Sequence, residues 1–324
     1  MSDAATTPSS SPLRRLLSRP WLWAYVAALA VFVVTILFTG GRAGGEVATA
    51  AFTFATFSVI VGIGQMFVIT LGPGNVDLSI PATITLAGAV ATKVMDTQDG
   101  MILVGLLVAL ACGIAVGIFN YGLIILLRIP PIIATLSSSF LVQSTAIAYG
   151  RGIRIKPPPM LADFTTSQVF GMPVLAICVI ALAAVMELVL RRTLYGRWVT
   201  AIGQNIRAAR LAGVPVGRTR FSAYVMSAAF AGLCGYLLSG FSGGSSLSMG
   251  EEYLLTSIAL VVIGGSSVAG GNSNVPGLWG AALFLFLVVT MLNTYGFGAG
   301  LRYLATGAII IAVIVAASRR RAAR

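Results

Sequence analysis

Long apolar runs, broken by short polar or glycine-rich stretches, fill almost the whole chain from Trp21 onward. A helix rises about 1.5 Å per residue, so roughly twenty apolar residues cross the hydrocarbon of a bilayer. That criterion predicts ten helices, near 21–39, 47–71, 80–95, 101–127, 131–149, 172–190, 221–241, 253–264, 277–294 and 301–317, the third and eighth of them short. The expected fold is an all-α polytopic membrane protein. Its parts are a tail over 1–20, a membrane domain over 21–317 and a basic tail over 318–324. The first tail is Ser/Thr/Pro-rich and then basic through Arg14, Arg15 and Arg19. A cleaved secretory signal is the competing reading of this end. The long polar lead and the length of the apolar run favour a retained first helix, with Trp21 and Trp23 near the interface.

Composition agrees with the pattern. The 324 residues are 57% hydrophobic and 9% charged, where soluble domains carry about 25% charged residues. The net charge of +12 does not point to nucleic acid, because the arginines sit beside apolar runs and at the termini rather than among aromatics on a soluble face. The absence of histidine removes His-ligated metal sites and Ser-His triads. Cys112, Cys178 and Cys234 each lie inside an apolar run without metal-like spacing, as small packing residues do. No metal or cofactor is implied.

Charge sets the orientation. Seven arginines fall between Arg191 and Arg220, in RRTLYGRWVTAIGQNIRAARLAGVPVGRTR, with no acid among them. Positive charge next to spans is retained inside, which makes this segment a cytoplasmic loop and both termini cytoplasmic. Arg128 and the C-terminal arginines join the inside set. Arg42, Lys93, Arg302 and the acids Asp96, Asp99, Asp163, Glu251 and Glu252 fall outside. RGIRIKPPPM (151–160) is basic yet placed outside; a different span count would move the larger island out instead. Within the island, Asn205 stands at an N-cap position, IRAARLA follows, Gly213 supplies a stop and Pro215 lies just beyond. This short bounded helix is either part of a solvated positive-inside loop or a docking helix for a soluble partner.

Two cytoplasmic breaks stand out, LGPGNVDLSIP (71–81) and IGGSSVAGGNSNVPG (263–277), with Pro81 and Pro276 opening the helices that follow. Irregular backbone at membrane depth persists only where protein buries it or water wets it, and paired Gly-interrupted segments point to a transport pathway. The plainer alternative is two tight loops. Asp77 and Glu187 are the two acids expected near the inner half of the membrane; an intramembrane acid is functional by default. For Asp77, with Asn75 and Ser79 beside it, a structural clamp on local amides is the alternative. The other polar groups in the spans are neutral: Gln65, Asn120, Thr135, Ser137, Ser138, Ser139, Gln143, Ser144, Asn293 and Thr294. Hydroxyls and amides suit a path for a neutral, hydroxylated solute such as a sugar, or else serve as helix–helix contacts. Gln65, Asn75, Asp77, Ser79, Asn120, Thr135, Ser137, Ser139, Gln143 and Asn293 are the candidate path residues.

TLYGRWVTAIGQNIRAARLAGV, GNVDLS and VVIGGSSVAGG together resemble the permease subunits of ribose-class, carbohydrate-importing ABC transporters, in order and spacing from about residue 55 to 317. The resemblance implies a non-catalytic permease in a bacterial inner membrane. It implies a second permease chain, cytoplasmic ATPases and a periplasmic sugar-binding protein as partners. Tyr195, Gly196, Arg197, Gly203, Asn205, Ala208, Ala209, Arg210 and Gly213 match the family's ATPase-coupling segment, so the 205–213 helix is expected in a groove of the ATPase. The family usually has consecutive glycines before its Ile-Asp-Leu-Ser stretch; here Pro73, Gly74, Asn75, Val76 and Asp77 stand instead. Gln204 occupies a position where a second glycine is common. The chain has no GxxxxGK[ST] phosphate loop, so ATP hydrolysis is expected on a separate chain. The rival reading is a secondary transporter that works alone, disfavoured by the lack of an acid relay through the spans. A membrane-embedded enzyme lacks a nucleophile, a base and a metal site.

Overall fold

The computed structural model describes residues 20–41, 44–152 and 155–296, with isolated positions from 298 to 311. The tenth expected span falls largely outside the described residues, as do the C-terminal tail, Arg154, Arg302 and all of the N-terminal tail but its last residue.

Nine of the expected spans coincide with helices: α1 (Pro20–Phe38), α2 (Gly44–Thr70), α3 (Ile80–Met95), α4 (Ile102–Leu126), α5 (Pro131–Gly150), α7 (Val174–Arg192), α10 (Val216–Phe241), α11 (Tyr253–Ile263) and α12 (Pro276–Thr294). The remaining helices are α6 (Pro159–Thr166), α8 (Leu194–Gln204) and α9 (Ile206–Leu211). Among the described residues, seven are long and apolar enough to cross a membrane, whereas α3 and α11 have 16 and 11 residues. Prolines open α3, α5 and α12, where the missing N–H costs nothing and φ is preset. The only strands among the described residues are a two-residue antiparallel pair, 168–169 with 172–173.

Burial sorts the spans into a centre and a shell. The apolar window of α2 is 78% buried and that of α10 61%, against 17% for α1 and 28% for α4 and α5. The shell turns Leu29, Leu37, Leu103, Leu107, Leu126, Phe140 and Leu188 outward, a face that only lipid or another chain covers. α10 reaches the centre because small residues line its contacts. A Cβ on Gly113 or Gly117 of α4 would meet the α10 backbone, and one on Gly232 or Gly235 of α10 would meet α4 or α3. Without a hydrophobic force between helices in lipid, such close backbone approach supplies the packing energy.

Two expectations about connections change. The basic island is mostly helix: Arg191 and Arg192 end α7, while Arg218 and Arg220 belong to the first turns of α10. Proline at 215 opened that helix five residues before the apolar run begins. The 242–252 segment, expected as an outside loop, turns back along α3, so that a Cβ on Gly250 would meet the backbone of Pro81.

Candidate functional site

The geometry of the basic segment starts at its caps. Thr193 ends α7 and its hydroxyl accepts from Gly196 N–H at 3.2 Å, which caps α8. Gly196 lies against the backbone of Leu190 and Val189, so the chain turns sharply from α7 into α8. On α8 the Tyr195 ring stacks on Phe67 of α2, centroids 5.9 Å apart, and Val199 and Ile202 are buried. Arg197 points outward. Asn205 caps α9 by accepting from the N–H groups of Arg207 and Ala208, both at 3.0 Å. At the other end Gly213 has φ +80°, with Gly213 N–H donating to Arg210 O at 3.1 Å and Val214 N–H to Ala209 O at 3.0 Å. These two bonds close a helix on a left-handed residue, the conformation glycine adopts without penalty. The helix bounded by Asn205 and Gly213 is present as expected. Ala209 faces inward, whereas Ala208, Arg207 and Arg210 are exposed and Leu211 is 90% exposed.

The far end of α8 sits where the two glycine-rich breaks meet. Gly271 N–H donates to Thr70 O at 2.9 Å, and the Thr70 and Ser273 hydroxyls bond at 2.9 Å. A Cβ on Gly203 would meet both Thr70 O and Gly271 N, and one on Gly270 would meet the backbone of Gly72. Glycine at 203 is therefore required by close approach. Gln204, the departure from the family pattern, donates its amide to Gly271 O at 3.4 Å. Glu187 holds the second break from α7, pairing with Arg191 at 2.9 Å and accepting from Val275 N–H at 3.2 Å. Just before α12, Asn274 Oδ1 accepts from Gly277 N–H of its first turn at 2.8 Å.

The first break climbs back into the bundle and ends in a buried polar knot. Asp77 is fully buried. Its Oδ1 accepts from Ser79 N–H at 3.0 Å and Ser79 Oγ at 2.6 Å, and its Oδ2 accepts from Ser227 Oγ at 2.8 Å. Asn120 of α4 donates to Ser79 Oγ at 2.7 Å, and Asp77 N–H donates to Gln65 Oε1 of α2 at 3.1 Å. Thr135 of α5 accepts from Leu78 N–H and donates to Val76 O, both at 3.1 Å. Nearer the basic end, Asn75 Oδ1 accepts from Tyr224 Oη at 3.1 Å and from Arg220 Nη2 at 3.3 Å. Buried polar groups are costly unless paired; here the pairings tie the irregular segment to α2, α4, α5 and α10.

Of the candidate path residues, the structure thus brings together Gln65, Asn75, Asp77, Ser79, Asn120 and Thr135. Asp77 faces no open space; its geometry is that of the clamp. Ser137 and Asn293 are exposed at separate places, Ser139 is half-buried, and Gln143 donates to Leu247 O at 2.9 Å. Sequence reasoning missed Arg220, Tyr224 and Ser227, which form one stripe of α10 along the first break. Their spacing in RFSAYVMS, polar at i, i+4 and i+7, is the signal that would have found them.

The family model described as "Branched-chain amino acid transport system / permease component" matches residues 47–314. The chain is 31% identical to the probable ABC transporter permease protein y4mJ of Sinorhizobium fredii, over 79% of this chain and 77% of that one. It is 29% identical to the autoinducer 2 import system permease protein LsrC of Enterobacter sp. (strain 638), over 96% of this chain and 90% of that one. With LsrD of Salmonella typhimurium the identity is 27%, over 82% of each chain. No solved structure matches significantly. The match runs from the first half of α2 past the end of α12 and so takes in the basic segment and both breaks. The chain belongs to the branched-chain amino acid transport system / permease component family, as a multi-pass permease subunit of an ABC transporter of the inner membrane.

Proposed function

We propose that this permease works in an importer for a monosaccharide or related polyol, handed to it by a periplasmic binding protein. Hydrolysis takes place on separate cytoplasmic ATPases, and a second permease chain completes the path. The import role draws support from LsrC and LsrD, whose names are those of autoinducer 2 import permeases. In this reading the chain has ten spans, both ends in the cytoplasm and helices broken at the two glycine-rich segments, with α8 and α9 at the cytoplasmic end. The basic 151–160 stretch then faces the binding protein.

The observation that carries the reading is the contact of one cytoplasmic segment with both breaks. α9 offers Arg207, Arg210 and Leu211 to a partner, and α8 places Gly203 and Gln204 against the bonded pair Thr70 and Gly271. α10, which follows at once, holds the first break through Arg220, Tyr224 and Ser227. Closure of the ATPases would move α8–α9 as a unit and shift the breaks with it, alternating access. Packed elements of this kind switch between discrete arrangements and do not bend continuously. Uptake of labelled monosaccharides into vesicles containing the assembled transporter tests the reading. ATP-dependent, vanadate-sensitive uptake is expected; uptake that collapses with a protonophore and ignores vanadate would contradict it.

A further inference from the structure

The expected outside loop between α10 and α11 does not stay outside. Its contacts fix its depth. Leu247 O accepts from Gln143 of α5 at 2.9 Å, Met249 reaches Gly88 of α3, and the Gly250 backbone lies against that of Pro81. Pro81 is in the first turn of α3, so Gly250 lies most of that helix's length, about 20 Å, from the Met95 end. The other direction agrees: α11 begins at Tyr253 and has 11 residues, so about 16 Å separate it from the second break. Both measures place residues 248–253 near the middle of a hydrocarbon layer about 30 Å thick.

At that depth residues 248–252 are not helical, and apart from Met249 and Gly250 they are exposed. Ser246, Leu247, Ser248, Glu251 and Glu252 are exposed, and no cationic side chain among the described residues pairs with the two glutamates. Lipid does not accept irregular backbone with open carbonyls, nor unpaired carboxylates. Lipid therefore does not cover this face, which leaves water or a polar surface of a second chain.

We infer that the re-entrant segment 242–252 lines the aqueous translocation path and contacts the solute there. The groups it presents are hydroxyls at Ser246 and Ser248 and acceptor oxygens at Glu251 and Glu252. They suit a small polyhydroxylated solute, whose hydroxyls donate to carboxylates and exchange bonds with serine; an anionic solute is repelled. Contact with a solute rests on the import reading above, whereas the aqueous placement rests on depth and exposure alone.

The test is cysteine accessibility in the assembled transporter in membrane vesicles, with Cys112, Cys178 and Cys234 replaced by alanine. Ser248→Cys and Glu252→Cys are each treated with a charged, membrane-impermeant methanethiosulfonate, and Leu107→Cys on the exposed apolar face of α4 serves as the lipid control. Reaction at 248 and 252 an order of magnitude faster than at 107 is expected, slowed by whichever monosaccharide the vesicles take up. Silence at both positions would overturn the placement, and labelling that the transported solute does not slow would overturn the contact. Labelling that also ignores vanadate trapping supports the aqueous placement while contradicting the ATP-driven reading.

Discussion

At Gly203 one added carbon would meet the carbonyl of Thr70 and the amide of Gly271. Both are backbone atoms, so no side chain can swing aside. Gly203→Val is expected to abolish uptake while the chain still inserts, because the helices that hold it in the membrane are untouched; uptake within twofold of the parent would count against the junction. Gly213 differs in kind. It has open space around it but a φ of +80°, so Gly213→Ala carries only the left-handed cost, about 1–2 kcal/mol. A partial loss of uptake is expected there, with partner binding weakened rather than removed. In the knot, Ser227→Ala leaves Asp77 Oδ2 without its donor, a penalty of about 1–3 kcal/mol, and Tyr224→Phe removes one bond to Asn75. Both are expected to lower the number of solute molecules moved per ATP more than they lower hydrolysis. A fall of the two in step would mean that the stripe only supports the fold.

At the scale of elements, α9 and α10 carry the account. α9 is too short to be stable by itself and is held by its two caps and by Ala209 against the bundle. Its outer surface is left open, and Leu211, 90% exposed, is the apolar side chain that the proposed ATPase would meet. Leu211→Glu is expected to weaken capture of the ATPase while solubilised chain keeps its thermal midpoint; unchanged capture would remove α9 from the interface. The spans were legible in the sequence because twenty apolar residues leave few alternatives. The caps of α9 were legible because Asn and Gly at those positions each do one physical job. α8 was not, since LYGRWVTAIGQ lies in a basic island and its apolar positions Val199 and Ile202 are too few to mark a helix against that charge. Ser227 was invisible for the opposite reason: one hydroxyl in an apolar run is usual for helix packing, and only the fold reveals that it meets an aspartate 150 residues away. The depth of Glu251 and Glu252 was also beyond reach, because a polar loop between two apolar runs carries no mark of the direction it takes.

On the scale of the whole molecule, three segments far apart in sequence meet at one end: the first break, the second break and the α8–α9 unit. A chain that transported by itself would have no need to tie an exposed basic, apolar-tipped helix to both breaks; a chain driven by a partner would. We therefore propose that this end receives a soluble ATPase. The most direct measurement is capture of the tagged chain from native membranes in mild detergent, followed by identification of what co-purifies in equal amount. A soluble ATPase with a phosphate-binding loop is expected, lost when Arg207→Glu and Arg210→Glu are combined while the permease remains folded. A folded, active chain that purifies without any ATPase, or retains it unchanged in the double variant, would rule out α9 as the seat of the ATPase.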